Sequence, residues 1–292
     1  MDRVLVIIVT YNAHGWIRQC IDSVNRQHYD VLVVDNASGD DTVGIIRTAY
    51  PEVRLFLQTE NLGFGKANNI GLRYAVDNAY DYVLLLNQDA WLLPDTIEKL
   101  IIAYKQQPQY WILSPMQMNT ERGGLERHFE HFAASCLLDN ASVVSVPFVN
   151  AALWLLPVSC VKTVGGFDPL FPHYGEDNDY VNRVHYFGGE VGIVQDAIAY
   201  HEHSQVPASF SEQQEVYRMM LVFLGVWKDL TKSDMAGKSA ARYLYCRKIL
   251  RSLLLRKKHD LVNYHTAWVM AKNQSVAINQ HRKLSRKEGA FL

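Results

Sequence analysis

VLVIIVTYN at residues 4–12 and VLVVDNAS at residues 31–38 decide how this chain folds. Each is a short, β-branched apolar run that ends in polar and acidic side chains, and a segment with helical spacing of apolar residues lies between them. Working outward, further strands are predicted at residues 53–57 and 82–86, and helices at 15–27, 41–49, 64–79 and 94–106, with Pro94 suited to a first helical turn. Such alternation builds a mostly parallel sheet wrapped by helices, an α/β nucleotide-binding layout. Ligands of open α/β sheets bind beyond the carboxyl ends of the strands, so the residues closing each run are the first candidates for a site.

The 292 residues, 49% of them hydrophobic, suffice for one large α/β domain with an appendage or for two modest domains. Cys20, Cys136, Cys160 and Cys246 are scattered rather than paired, which fits a reducing cytoplasm. The apolar run at residues 4–9 is too short for a signal peptide, and no stretch approaches the ~18 apolar residues of a membrane span. A soluble or peripheral cytoplasmic protein is expected. The net charge of −1 conceals a segregation: residues 1–204 carry 13 basic and 24 acidic residues, and residues 205–292 carry 16 and 6. The two parts are expected to meet different partners.

The pattern weakens over residues 116–144, where Gly123, Gly124 and the aromatic and histidine residues 128–132 suggest a loop over a site. A strand is predicted at 146–156 and strand-like character at 190–194. Beyond Ser204 the spacing is helical almost to the end. The chain therefore divides into an α/β domain at 1–204, in two halves at 1–115 and 116–204, and a basic helical region at 205–292.

Several strand ends carry residues able to do chemistry. Thr10, Tyr11 and Asn12 can receive a base or a ribose. Asp35 can accept a hydrogen bond from a pyrimidine ring nitrogen, although Asn36 to Asp41, with Ser38 among them, also read as an ordinary turn and helix cap. A carboxylate at Asp89 suits a hard divalent cation held against a diphosphate, or serves a turn. Glu176, Asp177 and Asp179 are crowded enough to shift a carboxyl group's pKa, and equally form a charged helix start. His201 and His203 are surface histidines or ligands. Trp154, Phe167, Phe171 and Tyr174 are either core or sugar-stacking platforms. A dinucleotide-binding dehydrogenase is excluded because Tyr11-Asn12-Ala13-His14 stands where its glycine-rich turn belongs, and a sugar-phosphate nucleotidylyltransferase fails likewise.

The ordered blocks Val9-Thr10-Tyr11-Asn12, Val34-Asp35-Asn36-Ala37-Ser38 and Asn61-Leu62-Gly63-Phe64-Gly65-Lys66-Ala67-Asn68 resemble the donor site of family-two glycosyltransferases with the GT-A fold. The resemblance continues through Asn87-Gln88-Asp89, Gly165-Gly166-Phe167-Asp168-Pro169, Gly175-Glu176-Asp177-Asn178-Asp179 and Tyr200-His201-Glu202-His203. It implies a GT-A domain that transfers a sugar with inversion from a nucleotide-diphosphate donor, assisted by Mn2+ or Mg2+. It assigns donor contacts to Thr10, Tyr11, Asn12, Asp35, Asn36, Ser38, Gly63, Phe64, Ala67, Asn68, Asn87 and Gln88. Asp89 and His201 become the metal ligands, with His203 as the alternative; Asp177 becomes the general base, and Glu176 holds the acceptor. The family's usual Asp-x-Asp is Asn-x-Asp here, which weakens the metal set and resembles enzymes using dTDP-rhamnose; UDP-hexoses come next. The implied acceptor is a bacterial cell-surface or lipid-linked glycan. A catalytically silent nucleotide-binding partner or scaffold is the competing reading, with Asn87 its best support.

In the basic region, Arg242, Arg247, Lys248, Arg251, Arg256, Lys257 and Lys258 alternate with Tyr243, Leu244, Tyr245, Ile249, Leu250, Leu253 and Leu254. Three roles stay open: contact with an anionic membrane surface, packing on the catalytic domain, and homodimer formation. No nucleic-acid motif accompanies the charge, so no nucleic-acid partner is expected.

Overall fold

The computed structural model describes residues 2–25, 29–120, 123–133, 136, 141–202 and 210–292. The amino-terminal half alternates as the sequence predicts: β1 (Val4–Thr10), α1 (Ile17–Asn25), β2 (Asp30–Asp35), α2 (Thr42–Ala49), β3 (Arg54–Leu57), α3 (Phe64–Asp77) and β4 (Tyr82–Asn87). These strands pair in parallel in the order β3, β2, β1, β4. All side chains of β1 except Val9 are buried, because apolar layers cover both faces of the sheet. Each such aliphatic side chain contributes about 1.5–3 kcal/mol by leaving water.

The chain continues through β5 (Ala90–Leu92), α4 (Thr96–Gln106), β6 (Tyr110–Asn119), β7 (Gly124–Leu125), α5 (Glu130–Ala133) and β8 (Val143–Ser145). Then come β9 (Leu153–Pro157), α6 (Val158–Val164), α7 (Glu176–Tyr186) and β10 (Glu190–His201). The sheet extends past β4 in the order β9, β6, β10, β5, with β9 antiparallel to β4. Register brings the functional strand ends level: Thr10 faces Asp35, Val9 faces Asn87, and His201 on antiparallel β10 faces Ala90, the residue after Asp89.

Four sequence expectations need correction. Asp95 has a positive φ of 64°, so α4 starts at Thr96 and Pro94 lies outside it. The strand predicted at 146–156 starts only at Leu153; Pro147, which has no N–H for a ladder, follows the short β8. The segment read as a loop from residue 116 begins as strand, because β6 runs to Asn119 beside β10. The strand-like stretch at 190–194 continues to His201 through an irregularity between Val194 and Ile198. His203, Ser204 and the last residues of the helix predicted at 15–27 lie outside the described residues.

The carboxyl-terminal region forms α8 (Glu212–Lys228), α9 (Asp234–Leu254), α10 (Lys258–Asn273) and α11 (Ser275–Ser285). Ser211 caps α8 reciprocally with Gln214, and Ser233 caps α9 through the Ala236 N–H. These helices share a core around Phe223, Trp227 and Leu224, in which Trp268 stacks on Tyr245 at 5.1 Å. Among the described residues no helix is long and apolar enough to cross a membrane.

Residues near the carboxyl end lock this bundle to the α/β part. The Gly166 N–H donates to the Ala290 carbonyl at 2.8 Å, and the Asn69 amide donates to the Phe291 carbonyl at 3.2 Å. Gly165 has a φ of +89°, and a Cβ there would stand 1.8 Å from the Ala290 oxygen, so glycine is required on both counts. Lys228, fully buried, lies 2.8 Å from Asp168 and 2.5 Å from Asp179, and donates to Ser285 at 2.8 Å.

Candidate active site

The loops after β1 and β2 interlock through Asp35. Its carboxylate accepts from Thr10 Oγ1 at 2.8 Å, Ser38 Oγ at 2.5 Å and the Ser38 N–H at 2.9 Å, and is 2% exposed. Ser38 Oγ in turn accepts from the Asn12 N–H, and Asn12 Oδ1 from the Gly39 N–H. Asp35 therefore organises both loops, a role between the cap and the base contact considered from sequence. Asp40 makes an Asx turn next door: it accepts from the Thr42 N–H and from His14, and although burial opposes its ionisation, the hydrogen bonds from Thr42 and His14 hold its pKa down to about 2. Sequence patterning did not single out Asp40.

Gln88 braces the same edge by accepting from the Tyr11 N–H at 2.8 Å. Asn36 ties this edge to the start of α3, where its amide donates to the Gly63 carbonyl at 3.3 Å and its oxygen accepts from the Leu62 N–H. Gly63 has a φ of +80°, and a Cβ there would lie 2.2 Å from the Pro172 carbonyl, so this turn is pressed against the loop leading to α7. Ala67 and Asn68 are buried one turn into α3, where Asn68 donates to the Phe64 carbonyl. Phe64 packs edge-on against Phe167 at 5.7 Å. The donor-block residues are thus brought together, mostly through backbone scaffolding.

At the adjoining strand ends, His201 Nε2 stands 3.5 Å from Asp89 Oδ1 and 3.3 Å from Asn87 Nδ2. His201 Nδ1 lies 3.2 Å from Gln117 Oε1. Gln117 Nε2 donates to Ser114 Oγ and Asn150 Oδ1, which orients its oxygen toward the histidine. His201 therefore donates through Nδ1, which holds the ring with Nε2 facing Asp89 and Asn87. Gln117 and Asn150 were not anticipated, since their role comes from β6 pairing with β10. Among the described residues, no three His, Cys, Asp or Glu side chains converge as a ready metal cage.

The acidic block opens α7. Gly175 caps the helix with a φ of +85° after Tyr174 at +71°, a double left-handed turn that aims the first helical turn at the sheet edge. Asp177 accepts from the Asn178 N–H at 2.7 Å, the Asn178 amide at 3.1 Å and the Ala151 backbone. Its neighbour Ala152 accepts from the Asn87 N–H at 2.9 Å, which connects the acidic turn to the Asn87–Asp89 edge. Burial raises the pKa of both acids; the nearby Asp177 charge adds to burial at Glu176, which is pushed up to about 8. Glu176 Oε2 is buried without a hydrogen-bond partner. Strongly shifted, incompletely satisfied carboxyl groups beside a cleft mark working sites more often than structural ones.

Two cavities of about 420 and 740 Å³ meet at Tyr174, Glu176 and Arg218; Asp177 lines the first, and Phe64, Phe210 and Tyr217 line the second. Of the candidate stacking aromatics, Trp154 and Phe167 are core, packed on each other and on Tyr180, and Phe171 is buried in the core of the carboxyl-terminal helices, whereas Tyr174 is half exposed at the cavities. Behind α7, Arg183 binds Asp179 at 2.9 Å and the Val164 and Gly166 carbonyls at 2.7 Å.

Comparison with known proteins agrees with this geometry. Residues 5–151 match the model of Glycosyl transferase family 2. The glycosyltransferase GlyA of Streptococcus pneumoniae is 32% identical over 37% of this chain, which spans 16% of that protein. The poly(ribitol-phosphate) beta-N-acetylglucosaminyltransferase TarS of Staphylococcus aureus is 22% identical over 75% of this chain, which spans 39% of that protein. The N-acetylglucosaminyl-diphospho-decaprenol L-rhamnosyltransferase of Mycobacterium tuberculosis is 25% identical over 88% of this chain and 97% of its own length. Among solved structures, TarS 1-349 superposes with a TM-score of 0.62 at 15% identity, covering 98% of this chain and 83% of that one. The mannosyltransferase PcManGT from Pyrobaculum calidifontis, in complex with GDP-Man and Mn2+, superposes at 0.60 and 18% identity, covering 94% and 88%. With a GT-A fold and a family model matching half of its length, the chain belongs to glycosyl transferase family 2.

Proposed function

We propose that this glycosyltransferase moves a sugar from a dTDP- or UDP-linked donor to an acceptor hydroxyl with inversion, using Asp177 as the general base. The observation that carries this reading is the juxtaposition at one sheet edge: the Asp89–His201 pair, and the half-buried Asp177 tied through Ala151 and Ala152 to Asn87. A hydroxyl is a poor nucleophile, and a carboxylate of raised basicity within hydrogen-bond reach can take its proton as the glycosidic bond forms. Glu176, at the junction of the two cavities, holds the acceptor.

The residues present suit Mn2+ or Mg2+. One hard carboxylate oxygen at Asp89 and one oriented imidazole nitrogen at His201 form a partial set, which such ions complete with phosphate oxygens and water. Bound there, the ion would stabilise charge on the leaving diphosphate. Asn87 adds no charge, so metal binding is coupled to the donor. Thr10, Asp35 and Ser38 hold the loops that receive the nucleotide, with Asn12, Asn36, Gly63 and Asn68 completing that wall.

Among donors, dTDP-rhamnose stands first, because the relative matched over nearly its whole length is a rhamnosyltransferase; that relative's name also supports a lipid-diphosphate-linked sugar as acceptor. UDP-N-acetylglucosamine is second, by likeness to TarS. A thermal-shift panel of dTDP, UDP, GDP and their sugars, with and without manganese, tests this, since a ligand bound only by the folded state raises its melting temperature. A manganese-dependent shift with dTDP or UDP is expected. No shift with any nucleotide would favour a silent scaffold role.

A further inference from the structure

Residues 242–259, from mid-α9 through the turn into α10, contain seven Lys and Arg and no Asp or Glu. Four leucines share this segment and are more than half exposed: Leu250 at 58%, Leu253 at 56%, Leu254 at 75% and Leu255 at 54%. The fully buried residues of α9 are the small Gly237, Ala241 and Ser252; Leu244 and Tyr245 pack partly against the helical core, and the leucines that follow are left at the surface. Arg256 sits in the turn with a φ of +54°, where glycine would be unstrained. A cluster of exposed leucines amid uniform positive charge is costly in water and complementary to a bilayer of anionic lipids.

The charge also has a pocket. A cavity of about 240 Å³ between α9 and α10 is lined by Lys248, Arg251 and Lys257, with Ser252, Leu255, Tyr264 and Asp260, whose carboxylate lies 3.8 Å from Lys257, completing its wall. Tyr264 and Asp260 line this cavity and also a second one of about 470 Å³, whose far wall is Phe210 and Arg218. Those two residues in turn line the cavity that reaches Glu176. Three cavities therefore run in series from the leucine-edged basic turn to the acidic turn of α7.

We propose that the α9–α10 turn docks on an anionic phospholipid bilayer, with the leucines entering the headgroup region and a lipid phosphate held by Lys248, Arg251 and Lys257. The series of cavities then points the acceptor side of the active site at the membrane, so that an amphiphilic acceptor reaches Glu176 without leaving the bilayer. This last step rests on the glycosyl-transfer reading; the docking does not, and its test needs no turnover.

Flotation of the intact protein with phosphatidylcholine vesicles, and with vesicles containing phosphatidylglycerol, measures it. Binding to the anionic vesicles only, weakened by salt, is expected. The triple variant Arg256→Gly, Lys257→Gln, Lys258→Gln should lower partitioning about a hundredfold, given about fivefold per surface cation. The pair Leu253→Ser, Leu254→Ser should lower it with an unchanged melting temperature. Absent or charge-independent binding overturns the proposal. So does a stable dimer in solution that Leu254→Ser dissociates, since a second copy would then cover the leucines.

Discussion

Lys228 Nζ lies 2.8 Å from the Asp168 carboxylate, with both side chains fully buried, and so joins the first helix of the carboxyl-terminal bundle to the block that leads into α7. The same ammonium binds Asp179, and His281 reaches Asp168 from α11 at 2.5 Å. Burial opposes the ionisation of Asp168, but the His281 hydrogen bond and the Lys228 charge hold its pKa below the usual carboxylate range. The bundle is therefore part of the scaffold that fixes the acidic turn.

Replacing Lys228 with Met should expose that dependence. Removing one partner leaves carboxylates buried with too little compensating charge, which costs about 3–5 kcal/mol. A fall in melting temperature of roughly 10 °C is expected for a chain of this size, read by calorimetry.

Gly165→Ala tests the junction from the other side. The substitution meets both a positive φ and the Ala290 carbonyl, so the residues around 290 must leave their seat. A loss of about 2 kcal/mol or more is expected in denaturant unfolding.

Gln117→Leu keeps the volume of a buried side chain and removes the group that orients His201. Manganese-dependent nucleotide binding should weaken about 10–100-fold, measured by titration calorimetry, while metal-independent binding stays the same.

The acidic turn gives a pH signature. Glu176 has a folded pKa of about 8 against 4.5 when free, so the folded state holds this proton more tightly. Its contribution to stability is fully present below 4.5 and is lost as pH rises through about 8. Glu176→Gln should flatten that decline in melting curves recorded across this range.

The parallel half of the fold was legible because β1, β2 and β4 each contain an unbroken apolar run of four or more residues, and the strand ends carried the residues of the resembling blocks with them. What failed depended on partners distant in sequence. β6 and β10 extend each other by pairing, and that pairing creates the Gln117–His201 contact, for which no local pattern exists. Lys228 was not singled out from sequence, and it is Asp168 and Asp179, about fifty residues away or more, that make it a buried ion. Asp177 stood out as one of three acids in four residues, but its hydrogen bond with the Ala151 backbone is set by the loop before β9.

The central claim is that Asp177 takes the acceptor proton, and Asp177→Asn tests it most directly. Asparagine keeps the shape and the helix start but cannot accept a proton. Transfer assayed with the donor chosen by the thermal-shift panel should fall by about 10²–10⁴-fold, while the nucleotide-induced rise in melting temperature is preserved. Transfer within about threefold of the unsubstituted enzyme would assign the proton to another group and contradict the account.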